Sequence, residues 1–206
     1  MQPPILSADL PKPATSRSAA RLIKFLIYSG AVVAFLLAYF VAKFFLWARC
    51  FDLHAFRVPS ASMCPAICED ERVIAGMDAF NARIPQRGEI ILFERGEDNT
   101  RFIKRVIAVA GDTIAPGPSN AIFVNNKPLI LPPPCGENNV YARLAGEGQP
   151  FQTVKVPAGS LFVIGDNLDN SYDSRHFGLV TLDKVKGKAL LIYWSPNTSR
   201  IGCKLN

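Results

Sequence analysis

Residues 25–42, FLIYSGAVVAFLLAYFVA, form a run of 18 residues without a charged side chain, and this run decides the architecture of the chain. A helix rises about 1.5 Å per residue, so the run spans roughly 27 Å, close to the thickness of a bilayer's hydrocarbon core. Lys43 interrupts it, but a lysine stem can carry its ammonium to the headgroups, and the apolar residues FFLW follow. We predict a transmembrane helix over residues 22–48.

Two other interpretations of this run are weaker. A cleavable signal peptide has a shorter apolar core and a small-residue cleavage site, whereas bulky residues and then Arg49 follow here. A buried core helix normally carries a polar stripe, and residues 25–42 have none. We therefore expect a retained anchor in contact with the lipid bilayer.

The net charge of +6 and the pI of about 9.2 would suit a nucleic-acid-binding protein, but the distribution of the charge argues against one. Residues 1–50 carry 6 basic and 1 acidic side chains, and residues 51–206 carry 17 and 16. Most of the N-terminal basic residues precede the apolar run. By the positive-inside rule, residues 1–21 form a cytoplasmic tail, and the rest of a single-pass inner-membrane (plasma-membrane) protein lies outside the cytoplasm.

After the membrane segment the sequence pattern predicts β-strands. Short segments rich in Val, Ile and Phe alternate with Gly, Pro, Asn and Asp, at residues 72–76, 89–94, 102–110, 121–124, 160–164 and 189–194. Asn125 and Asn126 suit a hairpin turn because Asn tolerates positive φ. Residues 131–148 read as an irregular loop. We predict a mainly β domain over residues 54–206, built as a complex β-sheet or barrel-like fold.

Three short motifs carry candidate chemistry. In VPSASMCP, residues 58–65, flanking prolines favour a constrained loop that displays a serine. In FIKRVI, residues 102–107, strand alternation places Lys104 beside Phe102 and Val106, where burial would lower the lysine pKa toward that of a base. In GDNLDNSYDSRHFG, residues 165–178, the Asp and Asn residues favour a self-bonded loop after a strand.

Metal and histidine chemistry fit these motifs poorly. The acidic loop lacks a carboxylate near Phe177, where a calcium loop has its bidentate ligand, and Cys64 and Cys68 lack a second ligand pair for zinc. His54 and His176 are the two histidines, and no G-x-S-x-G motif is present. We expect an enzyme that uses no metal and no cofactor.

The three motifs, in their order and spacing, resemble those of the type I signal peptidases, membrane-anchored serine proteases with a Ser/Lys dyad. IPQRGEIILFE, residues 84–94, is also similar to the family, so the resemblance covers residues 55–195. It implies Ser62 as nucleophile and Lys104 as general base. It further implies that Ser60 and the Ser62 N–H form the oxyanion hole, that Ser171 orients the lysine, and that the pair formed by Asp173 and Arg175 supports the third loop.

The resemblance also implies a substrate class. A type I signal peptidase cleaves preproteins that have small residues at positions −3 and −1, and shallow apolar pockets bind these two residues. The residues of this chain that correspond to the pocket walls are Val58, Met63, Ile67, Phe102 and Ile103. We expect this protein to act as a monomer on preproteins that carry signal peptides. The alternative within the family is a peptidase dedicated to conjugative transfer or pilus assembly.

Two more distant alternatives are a self-cleaving repressor and a catalytically silent membrane-anchored binding module. A membrane segment stands where a repressor has its DNA-binding module, and the intact Ser62, Lys104 and Ser171 argue against a silent module.

Five cysteines leave the disulfide pattern open. Cys64 with Cys68, and Cys135 with Cys203, are candidate pairs, and Cys50 lies at the predicted membrane edge. Cys64 is a weaker candidate nucleophile than Ser62, because only Ser62 matches the serine of the motif.

Overall fold

The computed structural model forms two compact units, Met1–Cys50 and Phe51–Asn206. It describes residues 17–49, 52–98, 100–118, 121–130 and 151–205. The predicted tail up to residue 16 and the predicted loop over residues 131–148 lie outside the described residues.

The first unit is described by one helix, α1 (Arg17–Arg49). Its apolar part, Ile23–Lys43, has 21 residues with a mean hydropathy of 2.2, and none of it is buried within the chain. At about 1.5 Å per residue this part is roughly 31 Å long, enough to cross a hydrocarbon core. The helix begins before the predicted residue 22, because Ala19, Ala20 and Arg21 are strong helix formers.

The second unit is mainly β, as predicted, and its larger sheet has seven antiparallel strands. In chain order these are β1 (Leu53–Arg57), β2 (Arg72–Gly76), β3 (Ile90–Arg95), β4 (Thr100–Ala108), β9 (Ser160–Ile164), β10 (Val180–Thr181) and β11 (Val185–Trp194). Their order across the sheet is β1-β2-β11-β3-β4-β9-β10. Strands β4 and β9 are therefore neighbours, although more than fifty residues separate them in the sequence.

The smaller sheet has four antiparallel strands in the order β7-β6-β5-β8. They are β5 (Thr113–Pro116), β6 (Ile122–Val124), β7 (Lys127–Pro128) and β8 (Val154–Lys155). Asn125 and Asn126 join β6 to β7 with φ values of 52° and 62°, which confirms the predicted hairpin turn. Within the described residues both sheets are open, so two open sheets replace the barrel-like form that the sequence also allowed.

Among the described residues the hydrophobic core consists of three clusters, and two of them include residues of the loops that carry the site. One cluster joins the loop after β1 to β2, β3 and β11, and fully buries Met63 and Ile67. A second cluster packs β4 and β9 against the smaller sheet through side chains such as Ile107, Ile114 and Phe162. Two loops, residues 58–71 and 165–179, extend from these hydrophobic clusters and lie beside β4.

Candidate active site

Ser62 lies in the loop between β1 and β2, and a tight turn fixes its backbone. The Cys64 N–H donates to the Ala61 carbonyl over 3.1 Å, and the Ile67 N–H donates to the Met63 carbonyl over 2.9 Å. A disulfide joins Cys64 to Cys68 within the same turn. Ser62 is buried, with 7% of the residue exposed, and it lines the cleft described below.

Lys104 reaches Ser62 from strand β4. Its Nζ donates to Ser62 Oγ over 2.8 Å, and the side chain is buried, with 4% exposure. Burial lowers the pKa of Lys104 to about 8, because a low-dielectric surrounding disfavours the ammonium, while the nearby Asp173 and Asp166 oppose this by raising the pKa. The lysine therefore has an appreciable neutral fraction near pH 7, which a general base requires.

The other two predicted serines, Ser60 and Ser171, lie at the same site but differ in their hydrogen bonds. Ser60 Oγ donates to Ser62 Oγ over 3.2 Å, and its predicted role in the oxyanion hole stays a prediction. Ser171 lies in the same cleft and is 6% exposed, but its Oγ has no hydrogen-bond partner among the described residues. Its predicted role in orienting Lys104 therefore stays a prediction.

Asp173 and Arg175 form a buried pair that ties the third loop together. Arg175 donates to both Asp173 oxygens over 2.8 Å, and both side chains are almost fully buried. Arg175 Nη2 also donates to the Leu168 and Ser171 carbonyls. Burial by itself would raise the pKa of Asp173, but Arg175 and the Gly165 N–H outweigh it, so the pKa lies below its usual value and the carboxylate stays charged.

Gly165 and Asn167, which have no role predicted from the sequence, connect the third loop to the serine loop. The Asn167 N–H donates to the Ser62 carbonyl and its Nδ2 donates to the Ala61 carbonyl, each over 3.2 Å. A Cβ at Gly165 would stand 2.4 Å from the Ser62 carbonyl oxygen and 2.2 Å from Ser171 Oγ. Only glycine lets the two loops approach this closely.

A second buried pair lies behind Lys104. Arg105 points to the opposite face of β4 and donates to both oxygens of Asp166 over 2.8 and 2.6 Å, with its Nη1 on the Gly88 carbonyl. Strand alternation predicts that Arg105 and Lys104 face opposite sides of the sheet, but the sequence carries no local signal for Asp166 as the partner of Arg105. The three residues of the G-D-N sequence after β9 thus have three different roles. Gly165 allows the close approach of the two loops, Asp166 pairs with Arg105, and Asn167 binds the serine loop.

The site opens into a cleft of about 490 Å³. Its walls come from the three motif regions: Pro59, Ser60, Ser62, Thr100, Arg101, Phe102, Ile103, Lys104, Asp169, Asn170, Ser171, Tyr172 and His176. Phe102 and Ile103, both predicted as pocket residues, are among them. Val58, Met63 and Ile67 are instead buried in the core beneath the cleft, so their predicted contact with a substrate stays a prediction.

The two histidines do not compete with Lys104. His54 is exposed and pairs with Asp52 over 2.8 Å. His176 lines the cleft, where its Nδ1 accepts from the Asp173 N–H over 3.4 Å. Within the described residues, neither ring is hydrogen-bonded to Ser62.

The structure shows part of the disulfide pairing. The Cys64–Cys68 disulfide is one of the two predicted pairings. Cys203 is also disulfide-bonded, but Cys135 and Cys50 lie outside the described residues, so the second pairing stays a prediction.

Comparison with known proteins places the chain in one family. A profile of the family described as signal peptidase, peptidase S26, matches residues 28–194. A probable signal peptidase I-2 from Synechocystis sp. is 36% identical over 152 residues, which cover 71% of this chain and 65% of the relative. Signal peptidase I from Leptolyngbya laminosa is 34% identical over 160 residues, 74% of each chain. The chain belongs to the signal peptidase, peptidase S26 family.

A crystal structure of a signal peptidase I from Enterococcus faecalis is also similar. It is 28% identical with a TM-score of 0.39, over 50% of this chain and 95% of that chain.

Proposed function

We propose that this chain is a membrane-bound serine endopeptidase that removes N-terminal signal peptides from exported preproteins, cleaving after small residues at −3 and −1. The observation that carries the proposal is the 2.8 Å hydrogen bond from Lys104 Nζ to Ser62 Oγ at the base of an open cleft. Family membership and the signal peptidase names of its relatives support the substrate class.

In the proposed reaction, neutral Lys104 takes the proton of Ser62 as the serine oxygen bonds to the scissile carbonyl carbon. The resulting oxyanion accepts hydrogen bonds from the Ser62 N–H and the Ser60 hydroxyl. The C–N bond then breaks, and the Lys104 ammonium gives its proton to the leaving amine. A water molecule, deprotonated by the again neutral Lys104, then attacks the ester carbonyl carbon. The bond from that carbon to Ser62 Oγ breaks, and the Lys104 ammonium returns its proton to Ser62 Oγ, which restores the hydroxyl and the neutral amine.

The proposed location follows from α1 and the charge distribution. Residues 22–48 anchor the protein in the inner membrane, residues 1–21 stay in the cytoplasm, and the peptidase domain over residues 54–206 faces the extracytoplasmic side. The extracytoplasmic side is also the side on which exported precursors present their signal-peptide cleavage sites, which supports the proposed location. The enzyme acts as a monomer and needs no cofactor.

The test uses the purified full chain in detergent with a precursor that carries an A-x-A site. Mass spectrometry of the products identifies the bond that is cut. Cleavage after the second alanine supports the proposal, and an intact precursor or a cut elsewhere refutes it. Parallel incubation with a pilin-type precursor distinguishes a general peptidase, which cuts both, from a dedicated one.

A further inference from the structure

A buried ion pair lies behind the loop that carries Ser62. Glu71, 1% exposed, accepts from Arg200 Nε over 2.6 Å and from Arg200 Nη2 over 3.2 Å. Ser195 Oγ donates to the same carboxylate over 2.8 Å. Burial alone would raise the pKa of Glu71, but its hydrogen bonds to Arg200, Cys68 and Ser195 lower it, so the carboxylate remains charged.

The pair holds the short ring that follows the serine. Arg200 Nη2 donates to the carbonyls of Pro65 and Ala66, each over 2.9 Å. The Cys68 N–H donates to Glu71 Oε2 over 2.8 Å. These three backbone groups belong to the ring that the Cys64–Cys68 disulfide closes, so charged side chains fix its orientation from both ends.

The ring is close enough to Ser62 to affect its position, because only Met63 separates the two in the sequence. Met63 is fully buried, and its carbonyl accepts a hydrogen bond from the Ile67 N–H of the ring. The Ser62 N–H has no backbone acceptor among the described residues, which leaves it available to an oxyanion. A rotation of the ring would turn this N–H away and move Ser62 Oγ from Lys104.

We propose that Arg200, held by Glu71, is a positioning residue for the nucleophile: it fixes the disulfide ring so that the Ser62 hydroxyl meets Lys104 and its N–H faces the oxyanion. The inference rests on the proposed function, which assigns Ser62 its role. It adds the C-terminal segment, 129 residues from Glu71 in sequence, to the parts that set the site's geometry.

Among the described residues, a second ion pair serves as a control, because its hydrogen bonds involve no residue of the serine loop. Arg87 and Asp112 also form a two-pronged pair around a buried carboxylate, next to the smaller sheet. The test compares Arg200→Met, Arg200→Lys and Arg87→Met in the full chain in detergent. It measures kcat and KM for an A-x-A precursor, and Tm, with assays run well below the lowest Tm.

Arg200→Met should lower kcat about 10- to 100-fold with KM within about threefold, the loss expected for a misplaced reactive group. Arg200→Lys should recover part of kcat, because an ammonium can still reach a loop carbonyl. Arg87→Met should lower Tm and leave kcat unchanged. Wild-type kcat in Arg200→Met, or an equal kcat loss in Arg87→Met, would overturn the inference.

A second readout separates this inference from the proposed function. A fluorophosphonate probe phosphonylates an activated serine, with loss of fluoride, whether or not the protein cleaves precursors. The labelling rate of Ser62 should fall in Arg200→Met by about the same factor as kcat. If the wild type cleaves no precursor but labels faster than Arg200→Met, the positioning role stands and the substrate assignment fails; equal labelling rates refute the positioning role.

Discussion

Lys104 Nζ donates a hydrogen bond to Ser62 Oγ over 2.8 Å, although 42 residues separate them in sequence. The contact exists because β4 runs through the interior of the larger sheet and the serine loop folds over it. The third loop completes the arrangement, since the Asn167 N–H donates to the Ser62 carbonyl from the loop that follows the neighbouring strand β9.

The pH dependence of cleavage should follow the ionisation of Lys104. Burial lowers the pKa of Lys104 to about 8, against the opposing effect of Asp173 and Asp166. Only the neutral amine can accept the Ser62 proton, so kcat/KM should rise about tenfold per pH unit below this pKa and level off above it. A profile of kcat/KM that is flat from pH 6 to 9, or falls, would contradict the assignment.

The ionisation of Lys104 should also make the free energy of unfolding depend on pH. The pKa of Lys104 is about 8 in the folded protein against 10.5 for the free side chain, so the unfolded chain binds more protons between these values. The Lys104 contribution to the free energy of unfolding therefore rises with pH through this window, by about 3 kcal/mol. Urea titrations of wild type and Lys104→Met should show this difference growing from pH 7 to 10.5; parallel curves would refute the lowered pKa.

Gly165→Ala should disrupt the contact between the two loops. The added methyl would stand 2.2 Å from Ser171 Oγ and 2.4 Å from the Ser62 carbonyl oxygen, far inside van der Waals contact. We expect a loss of cleavage of about 100-fold, because the loops must separate. Gly76→Ala is the matched control, since its nearest neighbour would be 3.4 Å away. Equal activity in the two variants would argue against the close approach.

Asp166→Asn should have two separable effects. It leaves the buried guanidinium of Arg105 without this counter-charge and should cost about 3–5 kcal/mol in unfolding free energy. It also removes a charge that raises the pKa of Lys104, so the pH–rate profile should move to lower pH. Asp70→Asn, which breaks the exposed pair with Arg57, should change stability by no more than about 1 kcal/mol. A profile that stays in place or moves upward would contradict the electrostatic account.

Much of the fold follows from local pattern. The predicted strands at 72–76 and 160–164 have the bounds that the structure shows, because continuous Val, Ile and Phe residues mark them. Strand β11 begins at Val185, earlier than predicted, because Lys186 and Lys188 alternate with small residues and hide the apolar pattern. The short strands β7, β8 and β10 have two residues each and exist only through their partners.

The site was predicted where chemistry follows from residue type and motif, and missed where it depends on distant packing. The family resemblance of their motifs identified Ser62 and Lys104 as candidates, and the structure brings the two side chains into contact. The pairing of Glu71 with Arg200 has no local signal, since the partners are 129 residues apart. The crowding at Gly165 depends on how closely two loops approach, which a single sequence does not encode locally.

The most direct test of the account is product mass spectrometry with wild type, Ser62→Ala and Lys104→Ala, each purified in detergent and incubated with the same A-x-A precursor. The account predicts a single cut after the second alanine by wild type. It predicts losses of at least about 1,000-fold in each variant, with both variants folded as judged by Tm. Cleavage at the wild-type rate by either folded variant would contradict the Ser62–Lys104 mechanism.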